Sequence, residues 1–120
     1  MRFSPADVNA LLPLQPAAFH ILLALADGDR HGYAIIQDIG LRSRGAIRLS
    51  AGTLYRTVHR MLEQGLIEET RSRPAAEDDD ERRRYYRLTD FGAAVARAEA
   101  HRLQQLVSLA RASGLAPESA

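Results

Sequence analysis

The chain has 120 residues, 46% of them hydrophobic, with no cysteine and a formal net charge of +1. That length fits one domain, the apolar content is too high for a disordered chain, and the missing thiols exclude disulfides and thiolate metal sites. The small net charge hides an uneven distribution: an acidic tract from Glu77 to Glu81 offsets basic residues that are all arginine, the cation best suited to phosphate and guanine.

No apolar run reaches the length of a membrane span, and Met1-Arg2-Phe3-Ser4-Pro5 lacks the basic-then-apolar layout of a signal peptide. With cysteine absent, a cytoplasmic location and no membrane partner are expected. Residues 1–16 contain Pro5, Pro13 and Pro16 and read as an N-terminal arm with a short helical turn between Pro5 and Leu12. Pro16 suits a helix start. The run from Ala17 to Ala26 is almost wholly apolar, so period does not separate helix from strand; its length and alanines favour a buried helix, ended by Asp27-Gly28-Asp29.

A second helix is expected from about His31 to Arg44, with Ile35, Ile36 and Ile39 at helical spacing and Gly45 at the cap. Ile47-Arg48-Leu49 is expected to form a small edge strand. Ser50 is a good N-cap for a third helix from about Ala51 to Gln64, closed by Gly65. Leu54, Val58, Met61 and Leu62 make one apolar stripe on it, and Thr53, Arg56 and Arg60 point nearly opposite. Two strands follow, about Leu66 to Ser72 and Arg83 to Leu88, joined as an antiparallel hairpin with a long polar tip. Thr89 or Asp90 then caps a long helix to about Ala112, before Gly114 and Pro117.

The expected fold is mainly α with a small β-hairpin. In element order it is a winged helix-turn-helix over residues 17–89, a long C-terminal helix over 90–113 and a tail over 114–120. The long helix carries Phe91, Ala94, Val95, Ala98, Leu103, Leu106, Leu109 and Ala110, a stripe broken near His101 and Arg102. A small domain cannot readily cover so long a stripe, so pairing with a second copy is favoured over burial by its own chain. Phe91, Val95, Ala98, Leu103, Leu106 and Leu109 are the expected dimer contacts.

Four motifs together resemble the PadR family of bacterial regulators. They are His31-Gly32-Tyr33-Ala34-Ile35, Gly52-Thr53-Leu54-Tyr55-Arg56, Leu62-Glu63-Gln64-Gly65-Leu66-Ile67, and Arg84-Tyr85-Tyr86-Arg87-Leu88-Thr89-Asp90-Phe91-Gly92. The resemblance spans roughly residues 17–95. It implies a homodimeric repressor built through the last helix, as in the subfamily with a single C-terminal helix, released from DNA by a small-molecule effector. Two features depart from the family: the acidic wing, and the absence of tryptophan, which one drug-sensing branch uses to stack its ligand.

The third helix is then the expected reader of double-stranded DNA. Thr53 and Arg56 are placed near base edges, and Ser50, Tyr55 and Arg60 nearer phosphates, with Gly52 also counted in the DNA-binding set; the helix N-terminus adds its own donors. Tyr55 and Tyr33 are each read either as phosphate contacts or as packing residues, and His31 as a helix cap. Arg82 and Arg83, with Arg84, are expected to meet phosphate beside the wing; the alternative is charge balance against Glu77 to Glu81. A dimer would set two such helices about 34 Å apart, matching a palindromic operator. The expected effector cleft lies around Phe91, Val95 and Ala98. The competing function is a winged-helix protein-interaction module without DNA binding, favoured by the near-zero charge and acidic tip. No enzyme, metal or cofactor is expected. There is no nucleophile elbow and no phosphate-binding glycine loop, Asp78-Asp79-Asp80 lacks a calcium loop's spacing, and the four histidines lack ligand spacing.

Overall fold

The computed structural model describes residues 2–70 and 84–116. Its elements are α1 (Pro5–Asn9), α2 (Pro16–Leu25), β1 (Arg30–His31), α3 (Gly32–Arg42), α4 (Ala51–Glu63), β2 (Ile67–Thr70), β3 (Tyr85–Leu88) and α5 (Asp90–Ala112). The strands form one antiparallel sheet in the order β1-β3-β2. This is the mainly helical winged-helix architecture with a long final helix.

Helix α2 is the hub. Its near-continuous apolar sequence lets Ile21, Leu22, Ala24 and Leu25 be buried while the helix packs against α3, α4, α5 and β3. Around it close Ile35 and Ile39 of α3, Leu54, Val58 and Met61 of α4, and Val95 of α5. Side-chain caps fix where the helices begin. His31 Nδ1 accepts from Ala34 N at 3.1 Å to start α3, Ser50 Oγ accepts from Thr53 N at 3.1 Å to start α4, and Thr89 Oγ1 accepts from Gly92 N at 2.9 Å to start α5. Thr89 also donates to the Leu66 carbonyl, and a Cβ at Gly92 would collide with that same oxygen. The wing and α5 are thereby locked together at a point only glycine fits.

Two expectations need correction. Ile47-Arg48-Leu49 is not a strand: Ser43 Oγ accepts from Ile47 N at 3.0 Å and donates to Ile47 O at 3.3 Å. Those backbone groups are satisfied locally and have no need of a sheet. The third strand is instead Arg30–His31, whose residues pair with Tyr86 and Tyr85 of β3.

The N-terminal arm carries the expected short helix and also packs on the rest of the domain. Ser4 and Asp7 form a reciprocal capping box that starts α1, and α1 packs on α5 with Val8 buried. Phe3 meets Phe91 with ring centroids 5.1 Å apart.

Candidate nucleic-acid interface

Helix α4 divides cleanly. Leu54, Val58 and Met61 are buried, whereas Gly52, Tyr55, Arg56, His59, Arg60 and Glu63 are exposed. At its N-terminal turn the polar side chains are linked. Ser50 Oγ donates to Thr53 Oγ1 at 3.1 Å, and Arg56 Nη2 donates to the same oxygen at 3.3 Å. With both lone pairs of that hydroxyl engaged, its own proton is free to donate. Thr57 Oγ1 donates to Thr53 O at 2.8 Å, which places the threonine between the cap and the next turn. The result is a solvent-facing row of hydroxyl and guanidinium donors at a helix N-terminus, where the dipole favours an anion.

The tyrosines take distinct positions. Tyr55 is 50% exposed, with its ring over Gly32 at the start of α3, where a Cβ would collide with the Tyr55 hydroxyl. It therefore packs along one edge and faces solvent along the other. Tyr33 is exposed and stacks on His31, with ring planes 8° apart. Arg60 lies on the arm side of α4, beside a cleft that also touches Leu11, Leu14 and Pro16.

On the wing, the described arginines are paired. Arg84 Nη1 donates to Glu69 Oε1 at 3.1 Å, and Arg87 Nε stands 3.6 Å from Glu68 Oε2. Glu69, Arg84 and Tyr86 share a cleft with Tyr55 and His59 of α4. Burial, and then the Glu69 charge, push the Tyr86 phenol above its ordinary pKa. The Glu69–Arg84 pair was not legible beforehand, although strand alternation over Glu68-Glu69 carried the signal. Arg82, Arg83 and the acidic tract lie outside the described residues.

The expected dimer contacts split into two groups. Val95 is fully buried within its own chain, and Phe91 and Ala98 pack against the same core. The arm packs on this half of α5, so Val95 is an intrachain contact, whereas Phe91 and Ala98 stay half-buried and Phe91 lines a surface cleft with Phe3, Glu68 and Arg87. Glu99, like Val95, is buried. It accepts from Leu14 N at 3.2 Å and from Arg102 Nε and Nη2 at 2.6 and 2.9 Å. The Arg102 bonds hold its carboxyl below the ordinary range, helped by the Leu14 amide and opposed by burial. The break in the stripe near Arg102 is thus where the arm is tied down. Beyond it Leu103 is half-buried, whereas Leu106, Val107 and Leu109 are exposed at 48%, 42% and 65%.

Among the described residues no helix is long and apolar enough to cross a membrane, and no group of His, Asp and Glu could hold a metal. A sequence model of the PadR-like family of transcriptional regulators matches residues 21–98. The chain belongs to that family. Its members are transcription regulators, and this protein is one of them rather than an enzyme. The match runs from α2 into α5 and ends at Ala98, the last residue before the Glu99 tie. No curated protein matches the sequence.

Solved structures agree on the fold. A PadR family regulator from Clostridium difficile R20291 is 25% identical with a TM-score of 0.68, over 81% of this chain and 96% of that one. A transcriptional regulator from Clostridium thermocellum is 21% identical with a TM-score of 0.67, over 91% and 95%. Bacillus subtilis PadR, solved in complex with operator DNA, is 18% identical with a TM-score of 0.59; the match covers 70% of this chain and 47% of that protein.

Proposed function

We propose that this PadR-like regulator binds a palindromic operator as a homodimer in the cytoplasm, represses transcription there, and is released by a small-molecule effector. The observation that carries the DNA assignment is the linked Ser50–Thr53–Arg56 row on the exposed face of a capped helix whose other face buries Leu54, Val58 and Met61. Gly52 keeps that turn open, and the space a Cβ would take there is bordered by the Arg56 guanidinium at 3.8 Å and the Ser50 hydroxyl at 4.0 Å. Arg56 is the base reader, able to pair bidentately with guanine, and Thr53 adds a hydroxyl beside it. Ser50, Tyr55, Arg60 and Tyr33 contact phosphates, as do Arg82 and Arg83. The operator complex of Bacillus subtilis PadR supports the assignment by likeness of fold.

Dimerisation is carried by the second half of α5. Leu103, Leu106 and Leu109 lie on the part of the helix that its own chain leaves open. An effector acts by favouring one spacing of the two reading helices over another, which requires different affinity for the two states.

Labelled DNA from upstream of the protein's own gene, titrated at two salt concentrations with wild type and Arg56→Ala, tests the assignment. Tight, salt-sensitive binding by wild type, with sequence preference lost in the variant, is expected; the preference lost corresponds to about 1–3 kcal/mol. No binding of any duplex at low salt would replace this function with a protein-interaction role.

A further inference from the structure

In the hairpin, Glu69 faces Tyr86 and Glu68 faces Arg87 across the ladder. Side chains alternate along a strand, so Glu69, Tyr86 and Arg84 share one face of the sheet and Glu68 and Arg87 the other. The first face looks toward α4. Glu69, Arg84 and Tyr86 line a cleft of about 290 Å³ together with Tyr55 and His59. Among the described residues Glu69 is the sole carboxylate in that lining. The guanidinium and phenol groups around it all donate hydrogen bonds, and an imidazole can as well.

A cleft rich in donors, beside the exposed face of the reading helix, is suited to a backbone phosphate. Its strongest cation is already taken: Arg84 Nη1 donates to Glu69 Oε1 at 3.1 Å, with both side chains partly open to solvent. Exposed ion pairs are weak and screened by salt, so a phosphate and the Glu69 carboxylate compete for Arg84 on close terms. We propose that Glu69 restrains DNA affinity by holding the Arg84 guanidinium that would otherwise take a backbone phosphate between α4 and the wing. The inference rests on DNA binding as proposed above and adds a brake on it. The Glu68–Arg87 pair, at 3.6 Å on the opposite face, has no such place in the cleft and is a built-in control.

The test compares wild type, Glu69→Gln, Glu68→Gln and Glu69→Gln/Arg84→Ala. Each is titrated with a labelled DNA duplex of arbitrary sequence across a series of salt concentrations, because a phosphate contact is indifferent to sequence. Glu69→Gln is expected to bind roughly three- to tenfold tighter at low salt, and its plot of log affinity against log salt to steepen by about 0.9 for each subunit. Glu68→Gln should leave the slope unchanged, and adding Arg84→Ala should return it to the wild-type value. An unchanged or shallower slope for Glu69→Gln overturns the proposal, as does an equal change in Glu68→Gln. Failure of wild type to bind any duplex defeats the DNA assignment itself. Normal wild-type binding with no gain in Glu69→Gln defeats the role of Glu69 alone.

Discussion

Helices α4 and α5 are both amphipathic, and they leave opposite kinds of surface uncovered. Helix α4 buries Leu54, Val58 and Met61 of its apolar stripe, and its N-terminal turns present hydroxyl and guanidinium groups to solvent, cross-linked by hydrogen bonds through Thr53. Helix α5 buries its stripe only as far as Glu99, and what faces solvent beyond that is Leu106, Val107 and Leu109. Uncovered donors suit a polyanion; uncovered leucines suit a second apolar surface. The chemistry of what is left exposed separates the face proposed for DNA from the face proposed for a second copy, although both helices carry the same kind of stripe in sequence.

The largest effect should come from spoiling the uncovered half of α5. Leu106→Asp combined with Leu109→Asp is expected to convert a dimer to a monomer by light scattering after size exclusion, and to weaken operator binding at least roughly a hundredfold by loss of bivalency. The domain should stay folded, because neither side chain belongs to its core. A folded variant that remains dimeric would move the dimer contact elsewhere.

Next in size is the tie that ends the covered half. The folded-state pKa of Glu99 lies below its ordinary value of 4.5, chiefly through Arg102. A lowered carboxylate pKa contributes stability that is present above the unfolded value and is lost as pH falls through the folded one. Glu99→Gln should therefore lower the unfolding midpoint by roughly 5 °C at neutral pH. Near pH 3 the difference from wild type should shrink. A constant difference at both pH values would mean that shape, and not charge, makes the tie.

The smallest effect is on the α4 face. Thr53→Val removes the acceptor shared by Ser50 and Arg56 and should cost about threefold to tenfold in affinity for the preferred sequence, in line with one lost hydrogen bond. Affinity for arbitrary DNA should change little. Thr53→Ser should recover most of the loss.

The α4 face could be read from the chain alone because helical period, an N-cap serine and a closing glycine are all local signals. Covered and uncovered parts of α5 could not be separated that way. Phe91, Val95 and Ala98 carry the same stripe as Leu106 and Leu109, and only the return of the arm, with Val8 and Phe3 packed on α5, distinguishes them. The apolar residues among the arm's prolines were the available signal. Arg30–His31 was missed for a related reason: two residues carry no period, and their pairing with Tyr86 and Tyr85 is long-range in sequence. Ile47-Arg48-Leu49 misled in the opposite direction: three residues are too few to carry a period, and Ser43 already satisfies the backbone of Ile47.

Selection from a pool of random-sequence duplexes, carried out with wild type and with Arg56→Ala, bears most directly on the central claim. The account predicts that wild type enriches an inverted repeat whose half-sites are centred about 34 Å apart, one helical turn. It also predicts that Arg56→Ala loses a guanine preference at one position in each half. Enrichment of no sequence by wild type, or of the same sequence by both proteins, would contradict the assignment of α4 as the reader.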